Sequence, residues 1–258
     1  MSVLESIVAG VRLDQEKRMI SAELLAQQLW NAPPVRDPLE SLRRNTFSVI
    51  AEVKRSSPSK GALADIPNPE VLAKRYQDAG ASVVSVLTEE RRFGGSLKDF
   101  DQVRAAITVP MLRKDFIVND FLIKESRAHG ADLILLIVAA LPDPELQQLF
   151  DLTQELGMRA LIEVHDEYEL DRALAIEPEI IGINARNLHT LEVDIAAFER
   201  LIPKIPHHIY KVAESGISNV DDARRAREAG ADAILVGEAL VRAADPRELI
   251  QSFIGIDR

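Results

Sequence analysis

Eight short runs of β-branched and aliphatic residues recur along the chain, at 49–53, 83–87, 109–112, 133–138, 160–164, 180–183, 209–212 and 233–236. Continuous apolar runs of this length suit strands covered on both faces, as in a parallel sheet, because a strand with one wet face would alternate polar and apolar residues. Stretches of helical period lie between several of them, at 69–79, 121–129, 144–156 and 219–229. Successive runs are spaced by about 26 residues, the size of one βα unit in a barrel of ~250 residues. Eight such units in 258 residues predict a closed (β/α)8 barrel of the α/β class rather than an open sheet. Three of the helical stretches end alike, at Ala79-Gly80-Ala81, His129-Gly130-Ala131-Asp132 and Ala229-Gly230-Ala231-Asp232. Glycine there is read as a helix stop with no chemistry of its own.

About 45 residues precede the first run, with helical patterns over 3–17 and 21–30 and a break at Asn31-Ala32-Pro33-Pro34. The expected organisation is therefore one domain over 1–258, in which about 1–45 form an N-terminal helical extension. The longest apolar stretch, 133–141, is too short to span a bilayer, and residues 1–18 lack the architecture of a signal peptide. The formal net charge is −10, so nucleic-acid phosphates would repel the chain, and no basic block interleaved with aromatics offsets this. The absence of cysteine fits a reducing compartment and removes thiolate chemistry. A cytoplasmic protein with neither a membrane nor a nucleic-acid partner is the expectation.

Barrels of this kind place their chemistry at the C-terminal ends of the strands. The first run ends in Glu52-Val53-Lys54-Arg55-Ser56-Ser57-Pro58-Ser59-Lys60-Gly61, and a two-residue period puts Glu52 and Lys54 on one face. The third run leads into Arg113-Lys114-Asp115, the fifth into Glu163-Val164-His165 and the sixth into Asn184-Ala185-Arg186-Asn187. The seventh leads into Glu214-Ser215-Gly216 and the eighth into Gly237-Glu238. One Glu-x-Lys at a strand end reads as a solvated pair. Ionisable or amide groups delivered to the same rim by several strands read as an active site. The turns after strands seven and eight commonly seat a phosphate on backbone N–H groups, so Ser215, Gly216, Gly237 and Glu238 point to a phosphorylated ligand. No metal is expected, because His129, His165, His189, His207 and His208 have no ligand spacing, and His207-His208 falls at the opposite rim. Asn68-Pro69 and Asp143-Pro144 read as helix caps followed by proline. A buried lysine beside another cation would lose basicity, whereas Glu52 and Glu163 would hold Lys54 and Lys114 charged, so the net direction stays open.

Residues 50–61, IAEVKRSSPSKG, closely resemble the signature segment of the indole-3-glycerol-phosphate synthase family, a tryptophan-biosynthesis barrel. Similar segments recur in order: SVLTEERRFGGSL (85–97), LRKDFIV (112–118), GADLILLIVAAL (130–141), LIEVHDEYEL (161–170), GINARNL (182–188), VAESGI (212–217) and LVGEALV (235–241). The resemblance implies a cofactor-free carboxy-lyase that converts 1-(2-carboxyphenylamino)-1-deoxyribulose 5-phosphate to indole-3-glycerol phosphate, carbon dioxide and water. Carried over by position, Lys114 is implied as the general acid at the ribulose carbonyl oxygen. Glu163 is implied as the acid/base group in decarboxylation and dehydration. The division of proton steps between Lys114 and Lys54 stays open. Lys54 and Ser57 are implied at the substrate carboxylate, Phe116 at the aromatic ring and Asn184 at the reacting hydroxyls. Glu52 and Glu214 join the site's polar network, Ser215, Gly216, Gly237 and Glu238 receive the phosphate, and Arg186 is counted among the substrate-binding residues.

Ala185, Ala239 and Asn119-Asp120-Phe121 depart from commoner family residues without removing a proposed catalytic group. The N-terminal extension matches the family's capping helices by position and is expected to act as a lid. With no fused partner expected, association with other tryptophan-pathway enzymes would require other chains. Two alternatives carry distinct tests: a Schiff-base aldolase, in which a lysine would attack the carbonyl, and a non-catalytic phosphate-binding barrel.

Overall fold

The computed structural model describes residues 2–256, so Met1, Asp257 and Arg258 of the expected span lie outside the described residues. The strands close into a barrel. In chain order they are β1 (Ser48–Val53), β2 (Val83–Leu87), β3 (Met111–Lys114), β4 (Leu133–Ile137), β5 (Arg159–Val164), β6 (Ile180–Asn184), β7 (Tyr210–Glu214) and β8 (Ala233–Val236). Neighbours in sequence pair in parallel, and β1 closes on β8 from Ser48↔Ala233 to Ala51↔Val236. Six of the eight runs read from the sequence coincide with strands to within a residue at either end, and the seventh extends two residues further, to Glu214. The third is displaced to Met111–Lys114, because Pro110 has no N–H for the ladder while Arg113 and Lys114 continue it despite their polarity.

The outer layer consists of α4 (Pro69–Asp78), α5 (Leu97–Ala106), α6 (Asp120–Ala128), α7 (Asp143–Glu155), α8 (Glu167–Leu174), α9 (Ala196–Leu201), α10 (Val220–Glu228), α11 (Glu238–Arg242) and α12 (Pro246–Ile254), preceded by α1 (Val3–Arg18), α2 (Ala22–Asn31) and α3 (Pro38–Leu42). Gly80, Gly130 and Gly230 all adopt positive φ after their helices, as the stop reading requires. The aspartates that follow two of these stops do more. Asp132 accepts the Met111 backbone N–H at 2.8 Å and Asp232 that of Lys211 at 3.0 Å, tying the base of one strand to its neighbour. The cap reading of Asp143 is corrected: Pro142 holds the cap position, and the Asp143 carboxylate accepts from Arg172 at 2.6 Å.

The two ends of the barrel are treated differently. At the N-terminal ends of the strands α3 buries Leu39 and Leu42, while Ser48 and the Tyr210 hydroxyl both donate to the Leu42 carbonyl. The opposite end is open and is reached by α1. That helix starts with a reciprocal cap: the Glu5 amide donates to Ser2 Oγ at 3.1 Å and the Ser2 amide to Glu5 Oε2 at 2.7 Å. Its apolar stripe, Leu4, Ile7 and Val11, is buried at helical spacing. Arg91 grips Asp14 at 2.7 Å, and Arg18 forks onto Glu125 of α6 at 2.9 and 3.2 Å. The extension is thus fastened to the mouth by two bidentate pairs, the stronger geometry for a partly exposed contact.

Candidate active site

A cavity of about 900 Å³ occupies the C-terminal mouth of the barrel. It is lined by every residue that the family resemblance assigns to the site: Glu52, Lys54, Ser57, Lys114, Phe116, Glu163, Asn184, Arg186, Glu214, Ser215, Gly216, Gly237 and Glu238. Residues scattered over nearly two hundred positions converge because each follows an apolar strand whose pleat turns alternate side chains inward. Val3, Leu4 and Ile7 of α1 line the same space, so the extension forms part of its wall.

Lys114 occupies the centre of the polar cluster. Its Nζ donates to Glu163 Oε2 at 2.7 Å and to Glu214 Oε2 at 2.9 Å. Burial opposes the ammonium charge, but Glu163, Glu214 and Glu52 outweigh it and hold Lys114 well above the usual lysine range. The direction left open by the sequence is therefore upward, and carboxylates set it. Lys54 lies 3.4 Å from Glu52 Oε1 and 5.6 Å from the centre of the Phe93 ring. Burial would also raise Glu163, yet Lys114 and His165 hold its carboxylate well below the ordinary range. Glu214 goes the other way, pushed up to about 7 by burial and by the charges of Glu163 and Glu52 against the pull of Lys114. Two carboxyls on one ammonium thus differ in character, an arrangement that separates a proton acceptor from a proton donor.

Close packing creates this geometry. A Cβ on Gly182 would fall 2.1 Å from Glu214 Oε1, and one on Gly237 would fall 2.5 Å from Glu52 Oε1. Both glycines make room for a carboxylate against the strand wall. Ser215 and Gly216 lie at φ +66° and +75°. A left-handed serine costs ~1 kcal/mol or more and persists where the surroundings over-determine it. The polar rim continues through Lys60 on Glu238 at 2.6 Å, Arg242 on Glu238 at 3.3 Å, and Arg186 on Ser59 at 3.1 Å. Ser59 and Lys60 lie in the turn of a two-stranded ribbon formed by Ser56–Ser57 and Gly61–Ala62. On the apolar side Phe93 and Phe116 stand with ring centres 6.1 Å apart.

One rim residue is corrected. Arg113 is fully buried and turned outward, donating to Thr88, Ser126, Asp115 and Glu125, because its neighbour Lys114 takes the inward position of the pleat. His207 and His208 are exposed before β7, away from the cavity. Among the described residues no His, Cys, Asp and Glu cluster has metal-site geometry. From sequence alone no role falls to Gly182, Phe93, Lys60 or His165, although Lys60 and His165 are placed at strand ends. A signal existed for all four, since each lies inside a family-like segment.

The barrel form is shared with distant proteins: thiamine phosphate pyrophosphorylase from Pyrococcus furiosus is similar with a TM-score of 0.60 at 15% identity, over 82% of this chain and 95% of that one, a likeness of fold alone. Sequence relatives are far nearer. An indole-3-glycerol phosphate synthase of Nocardioides sp. is 53% identical over the full length of both chains. Indole-3-glycerol phosphate synthase 1 of Streptomyces coelicolor is 52% identical over 98% of this chain and 95% of the relative. The family model for indole-3-glycerol phosphate synthase matches residues 4–253. With that span and those relatives agreeing, the chain belongs to the indole-3-glycerol phosphate synthase family.

Proposed function

We propose that the chain catalyses ring closure, decarboxylation and dehydration of 1-(2-carboxyphenylamino)-1-deoxyribulose 5-phosphate to indole-3-glycerol phosphate, a carboxy-lyase step of tryptophan biosynthesis. The observation that carries the reading is the buried Lys114 ammonium held between Glu163 and Glu214 at the base of the cavity.

The substrate has four distinct parts, and the cavity offers a complement to each. Phe93 and Phe116 flank the aromatic ring, and Lys54, beside the Phe93 face, meets the carboxylate together with the Ser57 hydroxyl. Ser57 Oγ is buried without a hydrogen-bond partner among the described residues, as a group reserved for a ligand would be. The phosphate sits at the turns of Ser215-Gly216 and Gly237-Glu238, with Arg186 beside it. Asn184, which accepts the Arg186 amide at 3.0 Å, faces the sugar hydroxyls.

In the first step the ring carbon bearing the carboxylate attacks the ketose carbonyl carbon, and the carbonyl electron pair moves onto oxygen. Lys114 gives that oxygen a proton. An alkoxide is a stronger base than an amine, so the transfer runs downhill even from an ammonium held above its usual range. Loss of carbon dioxide returns the bonding pair to the ring. Departure of the new hydroxyl as water takes a proton to that oxygen and removes one from the adjacent CH2. Glu163, ionised and in contact with Lys114, serves these transfers, while Glu52 and Glu214 hold the lysines in place. A lysine kept protonated is a poor nucleophile, which supports acid catalysis over the aldolase alternative. We place the enzyme in the cytoplasm; association with other enzymes of the pathway is not required for its own step.

The test is conversion of the carboxyphenylamino-deoxyribulose phosphate by the purified chain, followed through indole fluorescence. Indole-3-glycerol phosphate formed at a catalytic rate is expected. Tight substrate binding without turnover by the folded protein would establish the binding-barrel alternative instead.

A further inference from the structure

His165 follows the last residue of β5 and, by the two-residue period, takes the same side of the strand as Glu163. It is nearly buried, does not line the cavity, and lies between Glu163 and Glu169 of α8. Its ring is fixed from the far side: Nδ1 lies 2.8 Å from Glu169 Oε2 of α8, and the same oxygen accepts the His165 backbone N–H at 2.9 Å. Nε2 lies at ion-pair distance, 3.3 Å, from Glu163 Oε1 and is buried without an aligned hydrogen-bond partner among the described residues. The remaining oxygen of Glu163 receives Lys114. With Nδ1–H committed to Glu169, a neutral ring would turn its lone pair onto a carboxylate oxygen, so only a protonated Nε2 makes the contact attractive.

We propose that His165 is a positioning residue that clamps Glu163 as an imidazolium, so that Glu163 stays ionised and correctly turned when Lys114 gives its proton away. The inference rests on the catalytic roles proposed above for Lys114 and Glu163. Once Lys114 has given its proton to the substrate oxygen, Glu163 loses the counter-ion at 2.7 Å and in a water-poor site would draw a proton from solvent before the dehydration step needs it as a base. A second cation on its other oxygen prevents this. The charged groups acting on His165 are Glu163 on its own strand and Glu169 on α8, and against burial these push the imidazole up to about 10. Those facing Glu163 from other strands are Lys114 on β3 and Glu214 on β7.

Two measurements test the proposal. Nitrogen-15 NMR of histidine-labelled wild type at pH 8 is expected to show both ring nitrogens of His165 protonated, and to lose that state in Glu163→Gln. A neutral ring in the wild type overturns the proposal, whatever the enzyme's activity, whereas absence of wild-type turnover overturns the function and leaves this reading to the NMR. In kinetics, His165→Phe is expected to lower kcat by about ten- to a hundredfold, the loss of one buried charged contact on Glu163, with KM within about threefold. It should also move the acid limb of the kcat profile to higher pH. His165→Gln restores a neutral donor near Nε2 and should recover part of kcat while leaving the acid limb displaced. An unmoved acid limb in both variants, or KM rising as steeply as kcat falls, overturns the assignment.

Discussion

Replacing Gly182 by alanine introduces one methyl group at the point where β6 lies against Glu214. The new Cβ would stand 2.1 Å from Glu214 Oε1 and 3.2 Å from Leu161 Cδ1. Because the first clash is with the end of a side chain, the carboxylate can rotate away and the fold survives. Rotation removes Oε2 from Lys114, a contact of 2.9 Å. A hydrogen bond between charged partners contributes ~1.5–3 kcal/mol, which as transition-state energy is about a ten- to hundred-and-fifty-fold fall in kcat. Stability should fall by ~1–3 kcal/mol for the overpacking, or roughly 2–10 °C in Tm for a chain of this size. Gly95→Ala supplies the contrast. Its Cβ would also lie 2.1 Å from an atom, but that atom is the Leu87 backbone oxygen, which cannot rotate away, so loss of folded protein is expected. The assay is kcat, KM and Tm for both variants. Wild-type kcat in a stable Gly182→Ala protein would show that the Glu214 contact with Lys114 does not matter to the chemistry and would refute the reasoning.

Removal of residues 1–35 takes Val3, Leu4 and Ile7 from the cavity wall. It should raise KM by about tenfold or more, equivalent to ~1.4 kcal/mol of lost contact; unchanged kinetics in a folded truncation would contradict the lid. Lys60→Ala leaves Glu238 with Arg242 alone beside the phosphate turn. A partly exposed pair of this kind is worth ~1 kcal/mol or less, so KM should rise by about two- to fivefold with Tm unchanged, and an unaltered KM would remove Lys60 from the phosphate seat. Folding lifts the Glu214 carboxyl to about 7. Its stabilising share is therefore complete below the ordinary glutamate value of ~4.3 and is lost as pH rises through 7. Glu214→Gln has no such loss, so the Tm difference between variant and wild type should move in the variant's favour between pH 5 and pH 8. A difference independent of pH would contradict the raised value.

The barrel is readable because its strands are apolar on both faces, and the site because polarity begins abruptly where most of the strands end, β4 being an exception. The same rule misled at β3, where Pro110 delays the ladder and Arg113-Lys114 prolong it. Period-two alternation then divides these two residues between helix layer and cavity, a distinction that position at a strand end does not draw for Arg113, Lys114 and Asp115. The role of Gly182 does not show in its segment, since it is to be empty where a carboxylate thirty-two positions later must fit. His165 lies in a family-like segment with both its partners, Glu163 and Glu169, but the pairing itself shows only once α8 packs beside β5. The ribbon that carries Lys60 to Glu238 depends on a contact between positions 178 residues apart. Local pattern finds groups at strand ends, whereas the pairings among them depend on how the barrel closes.

The division of labour between the two lysines is the central claim, and separate kcat and KM values for Lys114→Met and Lys54→Met test it most directly. Lys114→Met should lose about a hundredfold to ten-thousandfold in kcat, the range of a positioned proton donor, with KM changed by only a few-fold. Lys54→Met should act mainly on KM, through the lost contact with the substrate carboxylate. A Lys114→Met enzyme that keeps its kcat, or a collapse of kcat confined to Lys54→Met, would contradict the account.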